Sequence, residues 1–177
     1  MNYLLDTNLL LLKLRQDTRW DALYTTYALD KSTNLISVVT VGELYSLALQ
    51  NNWGTKRLEQ IGIIRKEFVE MDIHYEPTIQ RYAEIDAFSQ GKLKNRPLSI
   101  SARNMGKNDL WIAATASVFD LTLLTTDKDF DHLDKEFLSI AEAARLNYDN
   151  ILGLINKSSL RVRVLSIIFC AIAGVRC

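Results

Sequence analysis

The chain has 177 residues, 48% of them hydrophobic, enough to bury one core and too few for two full domains. Its 21 basic residues balance 21 acidic ones, so no global field draws it toward nucleic acid or an anionic membrane, and a charged partner must meet a local patch. The two cysteines, Cys170 and Cys177, show no Cys-x-x-Cys or Cys/His spacing, which argues against a disulfide scaffold and a zinc site and fits a reducing cytoplasm; no secretory signal is expected.

Along the chain, short apolar runs alternate with segments of helical period, the pattern of an α/β sheet. A first strand is expected at Tyr3 to Leu5, within YLLDTNLLLL, where a carboxylate interrupts an apolar run although burying it unpaired costs several kcal/mol. A second strand is expected at Leu35 to Val39, followed by a helix over Val41 to Gln50 with Leu44, Leu47 and Ala48 on one face. A third strand, Val69 to Ile73, leads to a helix over Thr78 to Phe88, whose Ile79, Tyr82, Ala83 and Ile85 share a face. Residues 89 to 108, with Pro97 and two glycines, read as a loop. Asp109 to Phe119 is apolar almost all round and reads as a buried helix; strands at Thr122 to Thr125 and, more weakly, Leu138 to Ile140 complete the sheet. This assigns residues 1 to 145 to one domain and 146 to 177 to an extension of uncertain structure. Its uncharged run Val164 to Val175, flanked by Arg161, Arg163 and Arg176, is shorter than the ~20 residues of an ordinary membrane span. It is read as a packing element or a weakly specified tail, with membrane attachment the lesser alternative.

Three acids follow strands on this reading: Asp6 the first, Glu43 the second and Asp127 the fourth. In an open parallel sheet the crevice beyond the strand carboxyl ends receives ligands. Asp109, opening the buried helix, falls on the same edge. Four carboxylates in one crevice repel unless they share a cation, and oxygen-only ligation suits Mg²⁺ or Mn²⁺. Each acid also has a purely structural explanation. Asp6 can cap a helix starting at Thr7 or Asn8, Thr40 and Glu43 can form a capping box, Asp109 can complement a helix dipole, and Asp127 can serve a turn. None of these explains why all four share an edge.

Asp6 in LLDTN, Glu43 in VGEL, Asp109 in NDLWIAATA and Asp127 in LLTTDKDF together resemble the acidic quartet of the PIN domain family, in particular its VapC-like ribonuclease toxins, over roughly residues 1 to 140. The resemblance implies a three-layer α/β/α sandwich with a mostly parallel sheet. It also implies metal-dependent hydrolysis of RNA phosphodiesters, with Asp6, Glu43, Asp109 and Asp127 as catalytic metal ligands for Mg²⁺ or Mn²⁺. Thr7, Asn8, Thr126 and Asp129 are then secondary or supporting positions. A toxin of a type II toxin–antitoxin pair would act in the cytoplasm, be masked by a cognate antitoxin and form a homodimer, with no membrane expected.

A metal-activated water needs no protein nucleophile. Consistent with that, the chain carries no G-x-S-x-G elbow, P-loop or G-x-G-x-x-G, and its two histidines, His74 and His132, read as surface or packing residues. Between Gly91 and Asn108 the chain carries Lys92, Lys94, Arg96, Arg103 and Lys107 with no acid, a candidate contact for an RNA backbone. Two alternatives stay open: a haloacid-dehalogenase-like phosphatase with Asp6 as nucleophile, disfavoured by Asn8 where that family resembles D-x-D, and a non-catalytic binding module.

Overall fold

The computed structural model describes residues 1–142. The expected extension over 146 to 177, with the run Val164 to Val175 and both cysteines, lies outside the described residues. Five strands, β1 (Asn2–Leu5), β2 (Thr33–Ser37), β3 (Val69–Met71), β4 (Thr122–Thr125) and β5 (Ser139–Glu142), form one all-parallel sheet in the order β3-β2-β1-β4-β5. Between them run α1 (Thr7–Leu14), α2 (Thr18–Thr26), α3 (Val38–Gln50), α4 (Thr55–Glu67), α5 (Glu76–Ser89) and α6 (Lys107–Val118), with 3₁₀ turns at Leu29–Lys31 and Lys128–Leu133. The architecture is a three-layer α/β/α sandwich.

The strands show why the sheet lies inside. Leu4 and Leu5 are consecutive, point to opposite faces and are both 0% exposed, and the same holds for Leu123 and Leu124. Both faces are therefore covered, as a parallel sheet requires. Leu4 and Leu123 pack with Ile85 and Phe88 of α5, Leu110 and Ile112 of α6, and the fully buried Phe130. Strand order reverses between β1 and β4: the chain moves outward from β1 through β2 to β3, then returns to the other side of β1. That reversal is a topological switch point, where neighbouring strands send their connections apart and open a crevice at their carboxyl ends.

Several boundaries differ from the sequence reading. The second strand ends at Ser37 rather than Val39, because Ser37 adopts an extended cap conformation and its hydroxyl accepts from the Val39 amide at 3.2 Å. This starts α3 at Val38 and excludes the capping box that was the structural alternative for Thr40 and Glu43: Thr40 is fully buried inside the helix and Glu43 lies in its second turn. The third strand stops at Met71, α5 begins two residues early at Glu76, α6 begins at Lys107, and β5 is shifted to Ser139–Glu142. Pro77 at the start of α5 explains its early onset, since a proline there loses no helical hydrogen bond. The long connection from Ser89 to Lys107 carries no helix or strand, as expected.

Candidate active site

The register of the sheet assembles the site. Leu5 pairs with both Ile36 and Leu124, so the next row at the carboxyl edge is Asp6, Ser37 and Thr125. The ladder continues one step past β1, with the Asp6 amide donating to Leu124 O at 3.1 Å. Asp6 is 3% exposed and caps α1: Oδ1 accepts from the Thr7 amide at 2.7 Å and Oδ2 from the Thr125 hydroxyl at 2.8 Å. Its burial raises the pKa to about 6. The two hydrogen bonds oppose that rise, while the charges of Glu43 and Asp127 add to it.

Glu43 projects from the second turn of α3 and is gripped on both oxygens, by the Thr7 hydroxyl on Oε2 and by Asn108 Nδ2 at 2.8 Å on Oε1. Asp109 sits in the first turn of α6, half-buried, and its pKa is raised to about 6, first by desolvation and then by the charges of Asp6, Glu43, Asp127 and Asp129. Gly106, which caps α6, leaves room for it: a Cβ there would lie 2.6 Å from Asp109 Oδ2. Asp127 caps the 3₁₀ turn after β4, accepting from the Asp129 amide at 2.9 Å, while its own amide donates to Thr125 Oγ1 at 2.9 Å. The Thr125 hydroxyl thus links the Asp6 carboxylate to the Asp127 backbone.

Asp6, Glu43, Asp109 and Asp127 line one cavity of about 720 Å³, together with Thr7, Asn8 and Asn108. Thr126, half-buried, and Asp129, exposed, are not among the residues that line it. The basic residues divide. Arg96 pairs with Glu136 at 3.0 Å and lies over the Phe137 ring at 4.3 Å, Lys107 pairs with Asp86 at 3.2 Å, Lys92 donates to Gln90 at 2.7 Å, and Lys94 is exposed. Arg103, 4.0 Å from Asp129, borders a smaller pocket of about 220 Å³ with Asn104, Met105 and Asp129. His132 packs flat against Phe88 and bonds Ser89 Oγ at 2.8 Å; His74 is exposed.

Among the described residues no three His, Cys, Asp or Glu side chains close into a ready cage for a cation. The quartet is spread around the cavity, with Asp6 and Glu43 held by hydroxyl, amide and side-chain donors. The chemistry of the set still fits a hard divalent ion. Every acid offers carboxylate oxygen, each oxygen has lone-pair capacity beyond the bonds described, and Asp6 and Asp109, raised first by burial and further by their acidic neighbours, carry buried negative charge that a cation would offset.

Three features of the site escaped the sequence reading. Thr125 and Asn108 hold the two most constrained carboxylates; Thr125 was detectable as the residue beside Asp6 once strand register is known, and Asn108 only as the neighbour of Asp109. The third is an apolar wall containing Trp111, which the all-round apolar pattern of its helix concealed: Leu110 and Ile112 are fully buried, whereas Trp111 lines the cavity.

An all-parallel α/β/α sandwich with an oxygen-only, carboxylate-rich crevice at its switch point defines a class of ligand-binding α/β domain. The PIN domain model matches residues 3–136, and the chain belongs to the PIN domain family. This membership sets aside the phosphatase alternative. No curated protein matches the chain in a sequence search. Among solved structures it is similar to VapBC2 from Rickettsia felis bound to a DNA fragment from its promoter, at 20% identity and a TM-score of 0.66, covering 80% of this chain and 98% of that one. It is also similar to VapBC-1 from nontypeable Haemophilus influenzae, at 22% identity and a TM-score of 0.62, covering 82% and 100%. A third is FitAcB from Neisseria gonorrhoeae, at 22% identity and a TM-score of 0.56, covering 81% and 99%. At these identities the likeness concerns the fold.

Proposed function

We propose that this chain is a metal-dependent endoribonuclease and the toxin of a toxin–antitoxin pair. The observation that carries the reading is the convergence of Asp6, Glu43, Asp109 and Asp127 on one cavity at the switch point of a PIN fold. Similarity to VapBC structures, and to a toxin–antitoxin complex from Klebsiella pneumoniae, supports the antitoxin partner. On this reading residues 1 to 145 form the nuclease domain and 146 to 177 an extension, the active unit is a homodimer, and the reaction belongs in the cytoplasm. Among the described residues no helix is long and apolar enough to cross a membrane.

In this mechanism the four acids hold Mg²⁺ or Mn²⁺. Bound there, the cation supplies charge neutralisation at the scissile phosphate and activation of the attacking water. The chain's residues do the rest. Thr125 and the Thr7 amide orient Asp6, Thr7 and Asn108 fix Glu43, and Gly106 keeps space for Asp109. Of the five basic residues Arg103 stands beside the acids through Asp129, and it is the one we assign to the RNA backbone first. Thr126 and Asp129 support the loop that presents Asp127, and Asn8 borders the cavity as a polar contact.

The test is direct. Purified protein is expected to cut single-stranded RNA with Mg²⁺ or Mn²⁺, to stop with EDTA, and to leave 3′-hydroxyl and 5′-phosphate ends, because a water attack does not use the ribose 2′-hydroxyl. Ends carrying 2′,3′-cyclic phosphate would rule the mechanism out.

A further inference from the structure

The cavity has two unlike kinds of lining. Besides the carboxylates it is walled by apolar side chains, Leu11 of α1, Val39 and Leu47 of α3, Ile73 after β3, and Trp111 of α6. Trp111 is supported from behind: its ring rests on Tyr82 of α5, with centroids 4.3 Å apart and planes 32° from parallel. One turn before it, Lys107 holds Asp86 at 3.2 Å and lies 6.0 Å from the Tyr82 centroid, tying the start of α6 to α5. Ser46 and Gln50 of α3 stand on the rim, with Gln50 Nε2 donating to Ser46 Oγ at 2.9 Å.

A partly buried indole, braced by another ring and sharing a cavity with four acids, offers that cavity a fixed aromatic surface. The molecule that uses both kinds of lining carries a phosphate at one end and a flat apolar face at the other. Resting on the ribonuclease reading above, we propose that the Trp111 wall seats the base next to the scissile phosphate, with Trp111 as its stacking platform and Gln50 at the base edge. The ligand class is single-stranded RNA, because a duplex keeps its bases stacked inward and cannot lay one on a protein ring.

The experiment uses the full chain, Trp111→Ala, Trp111→Phe and a short single-stranded RNA with Mn²⁺. Trp111→Ala is expected to raise KM about 5- to 150-fold, the range one stacked base covers, with kcat unchanged because stacking serves ground and transition states alike. Trp111→Phe keeps a ring and should stay within a few-fold of wild type, which separates stacking from a folding defect. In stopped flow, the emission lost between wild type and Trp111→Phe should be quenched by intact RNA before cleavage, and left unchanged by an abasic oligomer of the same length. Wild-type KM in a Trp111→Ala variant that melts like wild type would overturn the platform and leave the ribonuclease reading standing. Quenching by intact RNA without cleavage would uphold the base seat and overturn that reading. Trp111 emission that responds to a peptide of alternating Arg and Leu but not to RNA would make the wall a protein-docking face and overturn the proposal.

Discussion

The β1–β4 edge and the start of α6 each supply an acid whose pKa is raised to about 6, and they reach that value differently. Asp6 is enclosed at the strand end and has two donors, Thr7 N and Thr125 Oγ1, so its carboxylate is a structural joint as well as a charge. Asp109 is half-buried in a first helical turn, has no hydrogen bond described for its side chain, and is raised by desolvation with four neighbouring carboxylates adding to it. The contrast teaches that one acidic site can contain groups the fold depends on and groups the fold merely tolerates.

Substitutions that keep shape and remove charge should abolish function at both places. Asp6→Asn and Asp109→Asn are each expected to lower cleavage by more than about 10²-fold, the scale of losing one preorganised electrostatic group. Each should also cancel the thermal shift produced by Mn²⁺, which at 100 times the dissociation constant is worth about 2.7 kcal/mol in wild type. The metal-free protein separates the two regions. In EDTA, Asp6→Ala should melt lower by about 1 kcal/mol or more through loss of the helix cap, whereas Asp109→Ala should melt at or above wild type. Equal melting of the two alanine variants would erase the distinction.

The same experiment run against pH reads the cost of keeping these two carboxylates charged, set first by burial and then by their acidic neighbours. Because both native pKa values stand near 6 and the ordinary value is 3.8, the native state binds protons that the unfolded chain does not between those limits. Stability of the metal-free protein should therefore rise as pH falls from about 7 toward 4, and Asp6→Asn or Asp109→Asn should flatten that rise.

A smaller effect is expected at Thr125. Thr125→Val keeps the shape and removes the donor to Asp6 and the acceptor for the Asp127 amide; calorimetry should find Mn²⁺ affinity about 10- to 100-fold weaker and stability about 1–3 kcal/mol lower, with Thr125→Ser close to wild type. The smallest change belongs to Gly106→Ala. Its backbone conformation suits any residue, so folding should be nearly unaffected, but the new Cβ displaces Asp109 Oδ2 and Mn²⁺ affinity should fall. Wild-type affinity in this variant would show that Asp109 binds from another rotamer.

Much of this molecule is legible in one dimension. Alternating apolar runs and helical periods determine an α/β sheet, since a strand buried on both faces must be apolar at successive positions, as Leu4 and Leu5 are. Asp6 is legible for the same reason, since a carboxylate directly after such a run has no solvent to reach; Glu43, Asp109 and Asp127 are legible from the short motifs around them, VGEL, NDLWIAATA and LLTTDKDF. Tertiary structure decided what holds them. Ser37 as the cap of α3 turns Glu43 away from a capping role and into the grip of Thr7 and Asn108, residues 36 and 65 positions away in the chain. Strand register alone places Thr125 beside Asp6 across 119 residues. Arg96 and Lys107, alike with Arg103 as bare charges in sequence, are drawn to Glu136 and Asp86. Such pairings depend on where the sheet order reverses and how α5 meets α6, and no local pattern encodes a contact between segments that only the packed core brings together.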